Sequence, residues 1–263
     1  MTKNHLKTRS APRTWNIARK EATFITRPNP GSQSLDMTLP LSEIMRTAGL
    51  AETSKEINFI LRKNPVLVNG KRRWDRRFGV GFMDIVSVPD IKKHFMLTFD
   101  RKGRLVTLPI EEKNATTKLT QVRSTSTVHL FHAKKGAKAG TGKSASKSHK
   151  LQLHLVDGRN MLTDKPVAAG TTVVVDFAKN AITATHPVEP KAHVVLTAGK
   201  HRGTQGVIES IEGDFVTVKT KDATISTKKS YAFVLGELAT VVAGASEHKT
   251  KHSKAKDSQE DNA

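Results

Sequence analysis

The feature that most constrains the fold is a change in apolar periodicity at Phe95. From there onward, short runs rich in β-branched and aromatic residues alternate apolar with polar positions, and this period of two is typical of strands with one buried face. The predicted strands cover residues 95–99, 104–108, 127–131, 151–155 and 172–177. This pattern predicts a central antiparallel β domain over residues 92–190.

Residues 191–237 carry still shorter alternating runs that are joined by tight turns. These runs cover residues 194–197, 207–211, 215–219, 224–226 and 232–235. Strands of this length with closely spaced turns predict a small β-barrel. The remaining residues, 238–263, are expected to form a charged, disordered C-terminal tail.

Two apolar stripes at helical spacing precede the β region, at residues 41–48 and 57–61. Gly49 separates the stripes as a stop signal. Thr53 and Glu56 have the spacing of a capping box, in which the hydroxyl and the carboxylate each accept a backbone N–H at the start of a helix. The sequence therefore predicts two short helices in succession.

A hairpin or sharp corner is predicted directly after the helices. Residues 66–68 and 84–88 have the composition of strands, and the dipeptide Asn69-Gly70 suits the positive φ angles of a type I′ turn. A dense basic loop, residues 71–77, follows this turn. Residues 39–91 are thus expected to form one small unit of two helices and a hairpin, and the whole chain is expected to be α+β, mainly β.

The charge of the chain indicates its class of partner. There are 44 Lys and Arg residues against 24 Asp and Glu, a formal net charge of +20, so we expect a polyanion, with nucleic acid first. No membrane is expected as a partner, because the apolar runs are much shorter than the roughly 18 residues of a spanning helix. The absence of cysteine excludes disulfides, thiolate nucleophiles and Cys-ligated zinc.

Three basic segments have almost no acidic neighbours: residues 1–38, 71–77 and 134–150. The first has scattered apolar groups only, so we expect a basic N-terminal arm that stays disordered until it meets its partner. The third mixes Lys, Gly, Ser and Ala and is expected to be a mobile basic finger between two strands. Like charges this close repel one another unless an anion lies between them.

Phosphate contacts from basic residues are expected to dominate binding, because aromatic residues make up only 5% of the chain. Trp15 and Trp74 lie among basic residues, and each either stacks on an unpaired base or is buried in a local core. The predicted binding residues are Lys3, Lys7, Arg9, Arg13, Trp15, Arg19, Lys20, Arg27, Arg46, Arg62, Lys63, Asn69, Lys71, Arg72, Arg73, Trp74, Arg76, Arg77, Lys134, Lys135, Lys138, Lys143, Lys147, Lys200 and Arg202.

No catalytic residue, metal site or cofactor is predicted. A Gly-rich run ends in Gly142-Lys143-Ser144, but Ala137 occupies the position of the outer glycine of a P-loop, and no helix pattern follows. His248 and His252 have helical spacing but lack the glutamate of a metalloprotease motif. No nucleophile elbow of the G-x-S-x-G type is present.

Two local motifs resemble RNA-binding families. Gly199, Gly203 and Gly206, framed by β-branched runs, resemble the KOW motif of ribosomal and transcription-elongation proteins, although a solvated hairpin would also have such glycines. The stretch 40–89 resembles the S-four RNA-binding domain, whose helices and hairpin present a basic face to structured RNA. The matching residues are Leu39-Pro40-Leu41, Arg46, Gly49-Leu50-Ala51, 53–60, 66–71 and Asp84-Ile85.

Further motifs flank the S-four-like stretch: His5-Leu6-Lys7, 11–15, Arg27-Pro28 and Pro30-Gly31 precede it, and Asp157-Gly158-Arg159-Asn160 and the KOW-like loop follow it. This order of motifs along the whole chain resembles the archaeal and eukaryotic type of small-subunit ribosomal protein four. Ser32 and Gln33 depart from the family pattern, which has Pro and His, and the 134–150 finger is longer than usual. The resemblance implies an SH3-like barrel of KOW type and a cytoplasmic, structural component of the small ribosomal subunit that contacts ribosomal RNA and neighbouring ribosomal proteins.

Two other functions stay open. An RNA-modifying enzyme with an S-four-like domain would need a catalytic domain with an essential Asp, and Asp100, Asp157 and Asp176 lie in no catalytic motif. A KOW-containing transcription elongation factor would co-purify with RNA polymerase.

Overall fold

A computed structural model describes residues 5–131, 147–220 and 223–236. Within these residues there are two α-helices, three five-stranded sheets and two two-stranded sheets. The strand pairs within the sheets are all antiparallel. The predicted class, α+β and mainly β, is confirmed.

Residues 5–38 form an ordered segment, which we name the N-terminal layer, and not the predicted disordered arm. Strands β1 (Leu6–Lys7) and β2 (Phe24–Ile25) pair with each other, and Trp15 is buried in the main core with 2% exposure. The backbone N–H of Leu105 donates to the carbonyl of Thr14 at 2.6 Å. The prediction of disorder is wrong for residues 5–38 because their few apolar side chains are buried against surfaces that other parts of the chain supply.

Two helices follow, α1 (Leu41–Thr47) and α2 (Ser54–Lys63). Helix α2 begins with the predicted capping box, in which the Thr53 side chain accepts from the Glu56 N–H and the Glu56 carboxylate accepts from the Thr53 N–H. Gly49 has a φ of +67° just beyond α1, in the left-handed region that favours glycine at a helix end. Short 3-10 helices span Thr8–Ser10, Leu35–Met37, Pro89–Ile91, Glu112–Asn114 and Lys229–Tyr231.

The strands around these helices are β3 (Thr38–Pro40), β4 (Leu67–Val68), β5 (Lys71–Arg72), β6 (Gly79–Gly81), β7 (Ile85–Val88), β8 (Lys93–Phe99) and β9 (Leu105–Ile110). Strand β3 pairs with β6, and the others form the first five-stranded sheet in the order β5-β4-β7-β8-β9. Asn69 and Gly70 connect β4 to β5 with φ angles of 51° and 75°, which confirms the predicted tight hairpin.

Strand pairing does not follow the predicted division between residues 91 and 92. Strand β8 pairs with β7 along four residue pairs, from Ile85 with Met96 to Val88 with Lys93. By hydrogen bonding, β8 and β9 therefore belong to the sheet of the helical unit. Residues 89–92 contain turn signals. Such signals occur between domains and also between two strands of one sheet, so composition alone does not distinguish the two cases.

The second five-stranded sheet has the order β12-β11-β10-β13-β14. Its longest strand, β10, has 15 residues and includes the predicted strand at 127–131. The predicted finger at 134–150 falls mostly outside the described residues, between Phe131 and Lys147, which pair across β10 and β11. The strands are β10 (Thr117–Phe131), β11 (Lys147–Leu155), β12 (Asn160–Thr163), β13 (Thr172–Asp176) and β14 (Ala181–His186).

The third five-stranded sheet has the order β18-β17-β16-β15-β19. It contains all five strands that were predicted from the short alternating runs, with small shifts at their ends. The predicted tail at 238–263 lies outside the described residues. The strands are β15 (His193–Leu196), β16 (Gln205–Glu212), β17 (Phe215–Lys219), β18 (Thr224–Lys228) and β19 (Ala232–Val234).

The largest hydrophobic core joins the N-terminal layer, the helices and the first sheet to both later sheets. Leu119 of the second sheet and Val195 and Phe233 of the third are buried in it. The ring of Phe82 stacks on Phe99 with 5.0 Å between centroids and meets Phe233 edge-on at 5.2 Å. Separate smaller cores lie on the second and third sheets. The sheets are thus packed together and not merely linked.

Candidate nucleic-acid interface

The end of α2 and the β4–β5 hairpin bring four predicted binding residues to one part of the surface. Arg62 and Lys63 lie in the last turn of α2, Lys71 and Arg72 form β5, and all four are exposed. The Arg72 guanidinium donates to the carbonyl oxygen of Arg62 at 3.2 Å. That carbonyl is one of the last four of the helix, which lack a partner within it, and a cation there is favoured by the helix dipole. The hairpin is therefore fastened to the helix end.

Two large aromatic side chains are exposed on this surface. Phe59 is 63% exposed and Trp74 is 62% exposed. The Lys63 ammonium lies 5.5 Å from the centroid of the Phe59 ring, and the Arg72 guanidinium lies 5.3 Å from that of Trp74. We name these six residues the hairpin surface: Phe59, Arg62, Lys63, Lys71, Arg72 and Trp74.

Phe59 was missing from the predicted binding residues. The buried residues of α2 are Ile57 and Leu61, and Phe59 is two positions from each, which places it about 160° away on the opposite side of the helix. A phenylalanine off the apolar stripe of a short helix was the signal in the sequence that could have identified it.

The basic loop after β5 is an ordered turn that is attached to the N-terminal segment. One oxygen of the Asp75 carboxylate accepts from the Arg77 N–H at 2.8 Å, and the other accepts from the Asn29 side chain at 2.6 Å. The Arg77 guanidinium donates to the carbonyl of Arg27 at 3.1 Å. The Arg73 guanidinium is half-buried over a phenylalanine ring at 4.3 Å. These contacts hold part of the loop's charge in fixed positions.

Trp15 and Arg19 stabilise the N-terminal layer. The Trp15 indole N–H donates to the carbonyl of Leu35 at 3.3 Å, and the ring is enclosed in the main core. Its predicted role as a binding residue that stacks on a base is therefore wrong, because no face of the ring is accessible. The Arg19 guanidinium donates to the carbonyl oxygens of Thr8, Ala11 and Pro12.

Arg46 and Asn69 are likewise engaged inside the protein. The Arg46 guanidinium contacts the Glu43 carboxylate at 2.5 Å and also the Ser54 hydroxyl. Burial raises the pKa of Glu43, while the charge and hydrogen bond of Arg46 oppose the shift. The Asn69 amide donates to Asp84 at 2.8 Å. Both side chains are half-buried and are hydrogen-bonded within the protein.

The KOW-like loop at 199–206 packs against the turn between β8 and β9. Lys200 is exposed, whereas Arg202 is half-buried, with its guanidinium 5.6 Å from the centroid of the Phe99 ring. A Cβ atom on Gly203 would lie 2.0 Å from the carbonyl oxygen of Asp100. The loop therefore docks on the first sheet and holds part of the Arg202 side chain there, while the RNA contact of Arg202 stays a prediction.

The other predicted binding residues differ in how much of each side chain is exposed to solvent. Lys7, Arg9, Arg13 and Lys20 are exposed on the N-terminal layer, and Arg27 and Arg76 are half-buried. The backbone of Lys147 begins β11. The remaining predictions, for Lys3, Lys134, Lys135, Lys138 and Lys143, lie outside the described residues.

A buried charge cluster, which the sequence did not indicate, joins the first two sheets. The Lys118 ammonium in β10 contacts the Asp84 carboxylate at 2.5 Å and the Asp157 carboxylate at 2.9 Å. Burial alone would lower the pKa of Lys118, but the two carboxylates outweigh it and raise the pKa above its usual value. Its three charged side chains are 2%, 10% and 6% exposed. The cluster therefore stabilises the fold and is not accessible to a ligand.

Two further findings concern other kinds of site. No helix in the described part of the chain is long and apolar enough to span a membrane. Across residues 5–131, 147–220 and 223–236, no three His, Asp or Glu side chains come together as metal ligands would.

Comparison with known proteins identifies the family. The RS4NT domain matches residues 2–35, and the ribosomal family S4e matches residues 91–132. The small ribosomal subunit protein eS4 of Methanosphaera stadtmanae is 33% identical over 243 residues, which cover 90% of this chain and 93% of that protein. The chain belongs to ribosomal protein family S4e. The family that the order of motifs predicted is confirmed.

Other comparisons extend the S4e assignment over most of the chain. The small ribosomal subunit protein eS4 of Methanothermobacter thermautotrophicus is 31% identical over 249 residues, which cover 92% of this chain and 96% of that protein. The crystal structure of the 30S ribosomal protein S4e from Thermoplasma acidophilum has a TM-score of 0.56 and 24% identity, and the match covers 75% of this chain and 93% of that one. The fold is thus shared with a solved S4e protein.

Proposed function

We propose that this S4e-family protein is a structural component of the small ribosomal subunit, without enzymatic activity, and that it binds ribosomal RNA mainly through phosphate contacts. The observation that carries the proposal is the hairpin surface. Residues 59–74 contain five basic residues (Arg62, Lys63, Lys71, Arg72 and Arg73) and no Asp or Glu. The name of its relatives, small ribosomal subunit protein eS4, supports the choice of RNA.

The geometry of the hairpin surface suits a phosphate backbone. Among the described residues, no carboxylate forms an ion pair with Arg62, Lys63, Lys71 or Arg72. The two basic pairs stand on a capped helix and a tight hairpin that are hydrogen-bonded to each other. Cations held in fixed positions lose less conformational freedom when an anion binds, so each contact contributes more to affinity.

The proposed RNA contacts extend beyond the hairpin surface to other parts of the molecule. We propose further contacts from Lys7, Arg9, Arg13 and Lys20 on the N-terminal layer and from Lys200, which are all exposed. The divisions 1–38, 39–91, 92–190, 191–237 and 238–263 remain proposals from the sequence pattern, although β8 and β9 pair with the sheet of the second of them. An SH3-like barrel of KOW type in residues 191–237, neighbouring ribosomal proteins as partners and a cytoplasmic location remain proposals from the family resemblance.

Sedimentation of a tagged copy in a sucrose gradient tests the proposed function. We expect the protein to sediment with small-subunit particles. Replacing Arg62, Lys63, Lys71 and Arg72 by Ala should reduce its incorporation. The matched control replaces four exposed lysines elsewhere by Ala, with the same loss of charge: Lys102, Lys113, Lys165 and Lys179. Sedimentation as a free species, or co-purification with RNA polymerase, would contradict the proposal.

A further inference from the structure

Phe59 and Trp74 are the two most exposed large hydrophobic side chains in the described part of the chain. Phe59 lies on the side of α2 opposite its buried residues, and Trp74 follows β5, with exposed fractions of 63% and 62%. Large apolar side chains gain free energy when they leave water. Two such rings on one surface therefore indicate a ligand that covers them.

The charges around the two rings narrow the chemistry of that ligand. Lys63 lies over the Phe59 ring and Arg72 over the Trp74 ring, at 5.5 and 5.3 Å from the centroids. No acidic residue occurs between residues 59 and 74. The ligand must then combine a flat, polarisable group with negative charge, and a nucleotide with an accessible base has both.

We infer that Phe59 and Trp74 stack on unpaired bases, so that the hairpin surface recognises a loop or bulge of RNA and not a continuous duplex. The faces of the bases in an A-form duplex are stacked on one another and cannot be reached by an aromatic ring, whereas unpaired bases can be turned outward onto such rings. Lys63 and Arg72 then lie where the phosphates next to the stacked bases would pass. This inference rests on the proposed function and names the class of RNA that the surface takes.

The distribution of tryptophan allows a direct test. The chain has two tryptophans, of which Trp15 is 2% exposed and Trp74 is 62% exposed. Quenching of tryptophan emission by a bound base therefore reports on Trp74. The probes are an RNA hairpin with an unpaired purine loop and a blunt RNA duplex with the same number of phosphates, each titrated into the full chain.

We expect the loop RNA to quench the emission and the duplex to bind more weakly without quenching it. Phe59→Ala and Trp74→Ala should each weaken binding of loop RNA by roughly fivefold to a hundredfold, the range for loss of one stacked base. Binding of the duplex should change by less than about twofold, because both variants retain the basic residues that contact phosphates. Phe215→Ala is the matched control, since that ring is 53% exposed on the third sheet.

The outcomes separate this inference from the proposed function. Suppose that both RNAs bind with equal affinity, that the emission does not change and that neither substitution alters the affinity. The stacking inference is then wrong, while the proposed phosphate contacts stand. If neither RNA binds, the proposed function fails as well. If loop RNA binding is unaffected but the variants lose contact with a ribosomal protein, the rings bind a protein and the inference is overturned. Circular dichroism of both variants checks that the fold is intact.

Discussion

Lys118 shows how a single buried side chain connects two parts of this protein. Its ammonium group bridges two carboxylates: that of Asp84, which directly precedes β7 of the first sheet, and that of Asp157, which follows β11 of the second sheet. Asp84 also accepts from the N–H of Gly81 at 2.6 Å and from the Asn69 amide. Each charge thus has several partners, as buried charges require. The cluster fixes the position of the hairpin relative to β10.

Replacing Lys118 by Met should destabilise the protein strongly. The two carboxylates would stay buried without a counter-charge, which typically costs about 3–5 kcal/mol. Urea denaturation followed by circular dichroism measures the free energy of unfolding. Lys113→Met, at an exposed position, is the control and should change it by no more than about 0.5 kcal/mol. Equal effects of the two substitutions would mean that the cluster contributes nothing to stability.

The same cluster predicts a loss of stability at alkaline pH. The folded-state pKa of Lys118 is raised above its ordinary value of 10.5, so folding favours the protonated lysine. Its contribution to stability is therefore complete below pH 10.5 and is lost as the pH rises through the folded-state value. Unfolding free energies measured between neutral pH and the alkaline range should fall less steeply in Lys118→Met than in the unmodified chain. A parallel pH dependence of the two would contradict the assignment.

Truncation of the two tryptophans should change the free energy of unfolding by very different amounts. Trp15→Ala removes a ring that is buried in the main core, and such truncations cost about 3–5 kcal/mol. Trp74→Ala removes an exposed ring, so its effect should stay within about 0.5 kcal/mol. Thermal or urea denaturation of the two variants measures the difference. A large loss of stability in Trp74→Ala would show that this ring supports the fold, and its proposed place in RNA binding would be weakened.

At the scale of elements, the hairpin and the end of α2 act together as one charged unit. The prediction is a change in the salt dependence of RNA binding. Each phosphate that the protein neutralises contributes roughly 0.7 to 0.9 to the slope of log affinity against log salt concentration. The variant with Ala at Arg62, Lys63, Lys71 and Arg72 should therefore have a flatter slope by about 3 if all four contact phosphates.

Fluorescence anisotropy at several salt concentrations measures this slope. The control variant with Ala at Lys102, Lys113, Lys165 and Lys179 loses the same charge from other exposed positions. Its slope should stay close to that of the unmodified chain. If both variants flatten the slope equally, binding depends on net charge and the hairpin surface has no special role.

At the scale of the whole molecule, Gly203 governs how the third sheet docks on the first. Its φ is +84°, and a Cβ atom there would meet the carbonyl oxygen of Asp100 at 2.0 Å. Gly203→Ala should therefore cost about 1 kcal/mol for the backbone conformation and roughly 1–3 kcal/mol more for the clash. Gly213→Ala, at φ +58° with no atom nearby, should show the first cost alone. Equal unfolding free energies in the two variants would mean that the docking is not specific.

The sequence by itself determined the features that depend on neighbours along the chain. The capping box at Thr53, the Asn69-Gly70 turn and the strands of the third sheet were predicted correctly because local hydrogen bonds and apolar periodicity specify them. The family was also recognisable, since the order of motifs is a property of the sequence. The exposed cations of the hairpin surface followed from the same local patterns.

Only the tertiary structure decided which of these residues face solvent. Trp15 is buried because residues near Leu105 cover it, Arg202 is held by the first sheet, and Lys118 finds carboxylates at positions 84 and 157. Phe59 is exposed because the packing of α2 buries the opposite side of the helix, which carries Ile57 and Leu61. Burial and ion pairing depend on surfaces that are contributed by residues far away in sequence, and no local pattern encodes their approach.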